Sequence, residues 1–377
     1  MLKCNELYQL DIDSEARPFW RDRPTRPDVK VYCALGCGSA TPGDSVSSTP
    51  ALPLPTSCST QTTMSEELVA ARKICARSKA AVIEMFSHAR MGKALELKNI
   101  SALVDDISNS ISRHPDAFIN LARLKSIDDY TYMHSVAVCG LMIALGNQLG
   151  LPETLMRRAG LAGLLHDIGK MAISGAILNK PGRLSEDELQ LVRTHPLEGE
   201  KTLLATSQVC EMIVDVCLHH HERVDGTGYP HRLAGEQISL FSRMAAVCDV
   251  YDAITSDRSY NEGWDPAVAI QHMSTSEGHF DDHVFRAFLK SVGIYPVGSI
   301  VQLKSGGIGV VIEQHAHSLL TPKVKLFFLP VLNIHIKPRI VDLSDPLQSD
   351  RIVERVPAQR YGFKNTELLW LEETTHQ

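Results

Sequence analysis

The chain has 377 residues, 44% hydrophobic and 22% charged, an ordinary globular composition with room for one large domain plus appendages. The formal net charge is −6, so a polyanionic ligand must be held by local positive charge or metal and not by global steering. No basic arm or clustered Lys/Arg stripe suits duplex nucleic acid, and nine scattered cysteines argue against a disulfide framework and for a reducing, cytoplasmic setting.

The opening MLKCNELYQL has neither a long apolar core nor a basic leader, which predicts no signal peptide. From Asp11 to Thr63 the chain is rich in Pro, Ser, Thr and Gly, the composition of a partly flexible linker. A strand or two is expected around Val29–Leu35, and Cys33 and Cys37 read as ordinary thiols because no second pair completes a zinc site.

Helices follow. Thr63 with Glu66 predicts a capping box, and Leu68, Ile74, Val82, Met85 and Phe86 predict an apolar face ending near Gly92. Ile100, Leu103, Val104, Ile107 and Ile111 repeat at helical spacing before Pro115, and further helices carry Ile119–Leu124 and His134–Leu149. The uncharged run Ser135–Pro152 approaches membrane-span length. Asn147, Gln148 and the glycines interrupt it, so a buried soluble helix is expected, with no membrane span. Pro152 opens a segment that ends at His166, and Ser185 with Glu188 predicts a capping box on a helix ending at His195. Then come a helix from about Ser207 to His221, one over Leu240–Ile254, one opened by Asp265 and Pro266, and a last one capped by Asp281.

After Pro296 the pattern alternates, predicting a small β hairpin or sheet. Gly306, Gly307 and Gly309 lie between two strands with no helix after them, which predicts a hairpin turn and not a phosphate loop. The expected fold is therefore mainly α, a helical bundle with a small C-terminal β element and an irregular N-terminal segment. The expected boundaries are 1–62 irregular, 63–115 N-terminal helices, 116–294 main helical domain and 295–377 β-containing extension.

Within LAGLLHDIGK, His166 and Asp167 stand side by side at a helix end, followed by Lys170. Alone, His-Asp is only a dipeptide, and a helix end with a polar cap is the better reading of it. However, successive segments also present His134, His195, His220-His221 and Asp249. Burying so many separately satisfied histidines would be costly, whereas shared metal binding explains all of them, and carboxylates with neutral imidazoles suit first-row divalent ions.

The stretch from Asp128 to Val292 resembles the HD-GYP family of bacterial phosphodiesterases, within the HD metal-dependent phosphohydrolase group. The likeness is carried by HDIGK at 166–170, NKPGRL at 179–184, HHERVDGTGYP at 220–230, RMAAVCDVYDAITSDRSY at 243–260 and GHFDDHVF at 278–285. The helices between Thr63 and Pro115 are similar to the end of an N-terminal module that often precedes this domain.

The resemblance implies an HD-type bundle that hydrolyses cyclic di-GMP to linear pGpG, with GMP as a further product, using two divalent metals, Fe or Mn. It implies that His134, His166, Asp167 and Asp249 hold one ion. Asp167, His195, His220 and His221 hold the other, so Asp167 bridges, and His219 is a neighbour and not a ligand. Gly228, Tyr229 and Pro230 are the signature loop, which the family links to docking of GGDEF-type diguanylate cyclases. Lys170, Arg258 and Lys180 are expected phosphate contacts, Lys170 with a catalytic role, although for each a solvated surface cation is the competing reading. Asp252 is expected to orient a ligand histidine. Two positions depart from the pattern. Tyr130 stands where some members carry a Glu that helps hold a third metal, which implies two ions here; Asn261 stands where a Lys or Arg is frequent. A non-catalytic receptor or docking module, and another HD-type nucleotide hydrolase, are the alternative functions.

Overall fold

The computed structural model describes residues 63–370 except 94, 124–129, 179, 181, 257–262, 316–317 and 364–368. The linker, the Val29–Leu35 strand, Cys33, Cys37, Arg258 and Asn261 lie outside the described residues.

Twelve α-helices are found among the described residues, in the order α1 (Met64–Arg90), α2 (Leu97–Arg113), α3 (Pro115–Arg123), α4 (Tyr130–Gln148), α5 (Glu153–Leu165), α6 (Gly175–Leu178), α7 (Glu186–Val192), α8 (His195–Leu204), α9 (Glu211–His219), α10 (Leu240–Thr255), α11 (Pro266–Thr275) and α12 (Asp282–Val292). A 3-10 turn, Ile168–Ala172, follows α5. The start signals act as their chemistry dictates. The Thr63 hydroxyl accepts from the Glu66 N–H while the Glu66 carboxylate accepts from the Thr63 N–H, and Ser185 and Glu188 repeat the box on α7. Asp265 and Asp281 cap α11 and α12.

One helix departs from expectation. His195 opens α8; it does not close α7, which stops at Val192. Pro196 is the cause. It has no N–H for a continuing helix but fits the first turn of a new one, whose N-cap is Thr194.

The helices share one core. Ile74, Val82 and Phe86 of α1 and Leu103 and Ile107 of α2 pack in the same buried cluster as Val138 and Met142 of α4, Leu164 and Leu165 of α5 and Val247 of α10. Buried Glu67 pins α1 to α2 by accepting from Ser110 and from both Nε and Nη2 of Arg113, at 2.6–2.8 Å. α4 is apolar on every side because α1, α2, α3, α5, α10 and α12 surround it. That central helix carries His134.

Five strands form one antiparallel sheet: β1 (Ile300–Leu303), β2 (Ile308–His315), β3 (Ser318–Leu329), β4 (Ile334–Asp342) and β5 (Ile352–Arg355), in the order β4-β3-β2-β1-β5. The Gly306-Gly307 turn joins β1 to β2, and Leu303 donates its N–H to the Gly307 carbonyl. The sheet has a second core that takes in Leu68 of α1 and Ala117 of α3. Polar clamps join it to the helices: Gln314 N–H donates to buried Asp116, Arg123 to the Val297 carbonyl, and Arg355 to the Ala267 carbonyl at the head of α11. No helix among the described residues is long and apolar enough to cross a membrane.

Candidate metal centre

The ends of α5 and α9, the starts of α4 and α8, and the interior of α10 converge on one buried point. His134, His166, Asp167, His195, His220, His221 and Asp249 meet there, none more than 7% exposed. Local chemistry delivers each side chain. Asp167 precedes the 3-10 turn but makes no capping bond with its side chain, so its carboxylate is left to the cluster. Gly169 lets that turn lie against α8: a Cβ there would come within 1.9 Å of the His195 carbonyl and 2.4 Å of the Gly199 N. A side chain at Gly169 would push His195 away from Asp167.

The two oxygens of Asp167 face two different groups of imidazoles. Oδ2 lies 3.3 Å from His166 Nε2 and 3.7 Å from His134 Nε2. Oδ1 lies 3.3 Å from His195 Nε2 and 3.8 Å from His220 Nε2. Asp249 closes the first group, 2.9 Å from His134 Nε2 and 3.8 Å from His166 Nε2, and lies 3.8 Å from His221 Nδ1.

Hydrogen bonds at the outer nitrogens assign the tautomers. His166 Nδ1–H donates to the Gly163 carbonyl at 2.7 Å, His195 Nδ1–H to Val192 at 2.8 Å and His220 Nδ1–H to Cys217 at 2.9 Å. His134 Nδ1–H donates to Asp252 Oδ2 at 2.6 Å, so Asp252 orients an inward histidine as the sequence suggests. With Nδ1 protonated in each ring, every Nε2 presents a lone pair inward. Lone pairs then face one another: His195 Nε2 and His220 Nε2 are 3.3 Å apart. Buried His166 Nε2 and Asp167 Oδ1 have no hydrogen-bond partner among the described residues. Converging lone pairs and carboxylate oxygens without protons between them fit divalent cations.

The field inside the cluster agrees at the carboxylates and at His220 and His221; His166 is the exception, where burial works downward but Asp167 outweighs it and raises the ring. Burial alone would raise the Asp167 carboxyl, but Lys170 and His166 outweigh it and hold it well below the usual carboxylate range. Burial also works against ionised Asp249, and there the imidazoles of His134, His166 and His221 prevail and hold its carboxyl well below the usual range. Burial pushes His220 down to about 3, helped by His166 and His195, and takes His221 well below its ordinary value. Both rings are therefore neutral, the form that binds metal.

Lys170 is nearly buried and donates to Asp167 Oδ2 at 2.5 Å. Lys180 is engaged by Glu188 of α7 at 2.5 Å. His219 turns away from the cluster, bonding Asp215 at 2.8 Å. The signature loop forms one wall. The Tyr229 ring stacks on His221 with centroids 4.8 Å apart, and the Tyr229 N–H donates to the His221 carbonyl. A Cβ on Gly228 would lie 2.5–2.6 Å from the Arg223 N, Glu222 Cα and His221 O, so only glycine fits beneath the tyrosine.

Two residues escaped the sequence reading. Buried Glu222 accepts from the His231 and Leu233 N–H groups and so ties down the loop beyond Pro230. Arg193 carries its guanidinium carbon 5.7 Å over the Tyr229 ring, and its buried Nε has no hydrogen-bond partner among the described residues. Glu222 had a signal, its place beside two histidines; Arg193, one cation at a helix end, had none.

The HD domain family model matches residues 106–284. Cyclic di-GMP phosphodiesterase PA4108 of Pseudomonas aeruginosa is 53% identical over 358 residues, spanning 95% of this chain and 84% of that protein. Cyclic di-GMP phosphodiesterase response regulator RpfG of Xanthomonas campestris is 40% identical over 155 residues, 41% of this chain and 40% of that one. A 3'3'-cGAMP-specific phosphodiesterase of Vibrio cholerae is 35% identical over 178 residues, 46% of this chain and 40% of that one. Among solved structures, Bd1817, an HDG"Y"P protein from Bdellovibrio bacteriovorus, shares the fold with a TM-score of 0.50 at 20% identity, covering 61% of this chain and 74% of that one. With the buried His-Asp cluster, the Gly-Tyr-Pro loop packed on it and a likeness running through nearly its whole length, the chain belongs to the HD-GYP family of HD domain phosphodiesterases.

Proposed function

We propose that this chain hydrolyses cyclic di-GMP to linear pGpG at a two-metal centre. The observation that carries the reading is the Asp167 carboxylate, whose two oxygens face two separate groups of inward lone pairs. In this reading His134, His166, Asp167 and Asp249 hold one ion and Asp167, His195, His220 and His221 the other. The donors are all nitrogen and oxygen, which suits Fe or Mn. When bound, such a pair acidifies water and polarises the phosphodiester.

The chain's own groups do the rest. Asp252 and the Gly163, Val192 and Cys217 carbonyls fix the imidazole rings, so the ligands need no reorganisation on loading. The Lys170 ammonium neutralises negative charge beside Asp167 and is placed to do the same for a phosphate oxygen. Arg258 supplies a second phosphate contact with its planar fork, and Lys180 a third on release from Glu188. Tyr229 covers His221 and keeps water off that side of the cluster. GMP is the product of a second round on pGpG, and the Gly228-Tyr229-Pro230 loop is the docking surface for a GGDEF-type diguanylate cyclase. The identity of 53% across 95% of the chain with a protein named a cyclic di-GMP phosphodiesterase supports this substrate over other nucleotides.

The test is direct. Purified protein is incubated with cyclic di-GMP and Mn or Fe and the products are resolved by chromatography. Linear pGpG is the expected product, and unchanged cyclic di-GMP bound at stoichiometric level would establish a receptor instead. Asp167→Ala is expected to lose both ions and all turnover; retained metal with full activity would rule out the bridge.

A further inference from the structure

On the outer side of α9 the same histidine chemistry recurs, away from the buried cluster. His219 Nδ1–H donates to Asp215 Oδ1 at 2.8 Å, one helical turn back. The other Asp215 oxygen accepts from the Ser242 hydroxyl at 2.8 Å and from the Ser239 hydroxyl. Burial opposes ionisation of Asp215, but these hydrogen bonds outweigh it and hold the carboxyl below its usual range. An ionised carboxylate fixes the His219 tautomer, so Nε2 presents a lone pair outward.

That lone pair faces His231 Nδ1 at 3.1 Å. His231 is exposed and follows the signature loop, its backbone anchored by Glu222 at 2.7 Å. At this spacing the two ring nitrogens hold one bridging group, either the proton of a neutral His231 Nδ1–H donated to His219 Nε2 or a metal ion in its place. Tetrahedral coordination at about 2.0–2.1 Å puts two nitrogens roughly 3.3–3.4 Å apart, a small step from the spacing here.

We propose that His219 and His231 form a surface site for a divalent ion of the zinc class, separate from the buried centre, which cross-links the Gly-Tyr-Pro loop to α9. Water completes the coordination on the exposed side of His231. Asp215, braced by two serines, supplies the carboxylate that orients a metal-bound imidazole. The ion replaces the proton between the rings and holds residues 222–231 against α9, which ends at His219.

The metal-loaded full chain is dialysed against excess zinc, and bound metal per chain is measured by elemental analysis. Wild type should bind one equivalent more than His231→Ala, because the exposed imidazole is lost while the buried ligands stay. His231→Cys should regain that equivalent, since a thiolate binds zinc, whereas His231→Gln should not. Equal metal content in wild type and His231→Ala overturns the site and leaves the pair as a hydrogen bond. An extra equivalent that persists in both His231→Ala and His231→Gln also overturns it.

Discussion

At the scale of the residue, the centre depends on which nitrogen of each ring carries the proton. The outer Nδ1–H bonds of His134, His166, His195 and His220 make four inward acceptors out of groups that could equally have donated. Asp252→Asn removes the charge opposite His134 Nδ1 while keeping the shape. Metal affinity should fall about 10–100-fold, read by titration of the stripped protein, as for other groups that orient a metal-bound histidine. An unchanged affinity would assign Asp252 to packing. Lys170→Ala should keep its metal and lose roughly a hundredfold in turnover, the usual cost of removing one charge aimed at a reacting anion. Loss of metal instead would make the Lys170–Asp167 pair a structural one. The residue types of this cluster can be read from the chain because each histidine stands near a helix end in an apolar context. The pairing of His134 with Asp252, 118 residues away, and the station of Arg193 over Tyr229 depend on how helices cross, which no local pattern encodes.

At the scale of the element, end signals were the readable part. Thr63, Ser185, Asp265 and Asp281 cap the helices expected of them, since a short polar side chain beside an apolar run has few other uses. The break between α7 and α8 was missed. Apolar spacing continues through Val192, and only the backbone at Thr194 and Pro196 ends the run. Asp281 offers a test of a cap that is also an ion pair. It accepts from the Val284 N–H at 2.9 Å and from Arg243 at 2.6 Å. Burial alone would raise its carboxyl, but the Val284 N–H and Arg243 outweigh it and lower it. Its contribution to stability is therefore present above the unfolded carboxyl value, near 3.9, and is lost as pH falls through the lower folded value. Asp281→Ala should cost about 1 kcal/mol at neutral pH by chemical denaturation, and the gap from wild type should close on acidification. A gap independent of pH would mean that charge plays no part in the cap.

At the scale of the whole molecule, the two ends of the chain should differ sharply in what they contribute. Thr63 and Glu66 cap α1 by themselves, and among the described residues the core begins at Leu68 and every member of the cluster lies beyond residue 133. A chain starting at Thr63 should keep the metal content and turnover of the full protein, and a folded but inactive product would show that residues 1–62 complete the site. The C-terminal region looks separable by composition, because its alternating pattern begins abruptly after Pro296. Its physics is different. Leu68 of α1 and Ala117 of α3 are buried in the sheet's core, and Asp116, Arg123 and the Ala267 carbonyl bond to that region. Ending the chain at Val292 exposes those apolar groups and removes three polar clamps. Uncovering one leucine costs about 1.5–3 kcal/mol, and each kcal/mol shifts the melting temperature of a domain this size by roughly 2–4 °C. The chain ending at Val292 should therefore melt on the order of 5–10 °C below the full protein, or fail to accumulate in folded form. Arg355→Ala in the full chain separates fold from site: it loosens the grip on α11 and on the Tyr295 ring and touches no member of the cluster, so the melting temperature should drop while metal content stays the same. Equal melting temperatures for the full chain and the one ending at Val292 would make the sheet an appendage after all.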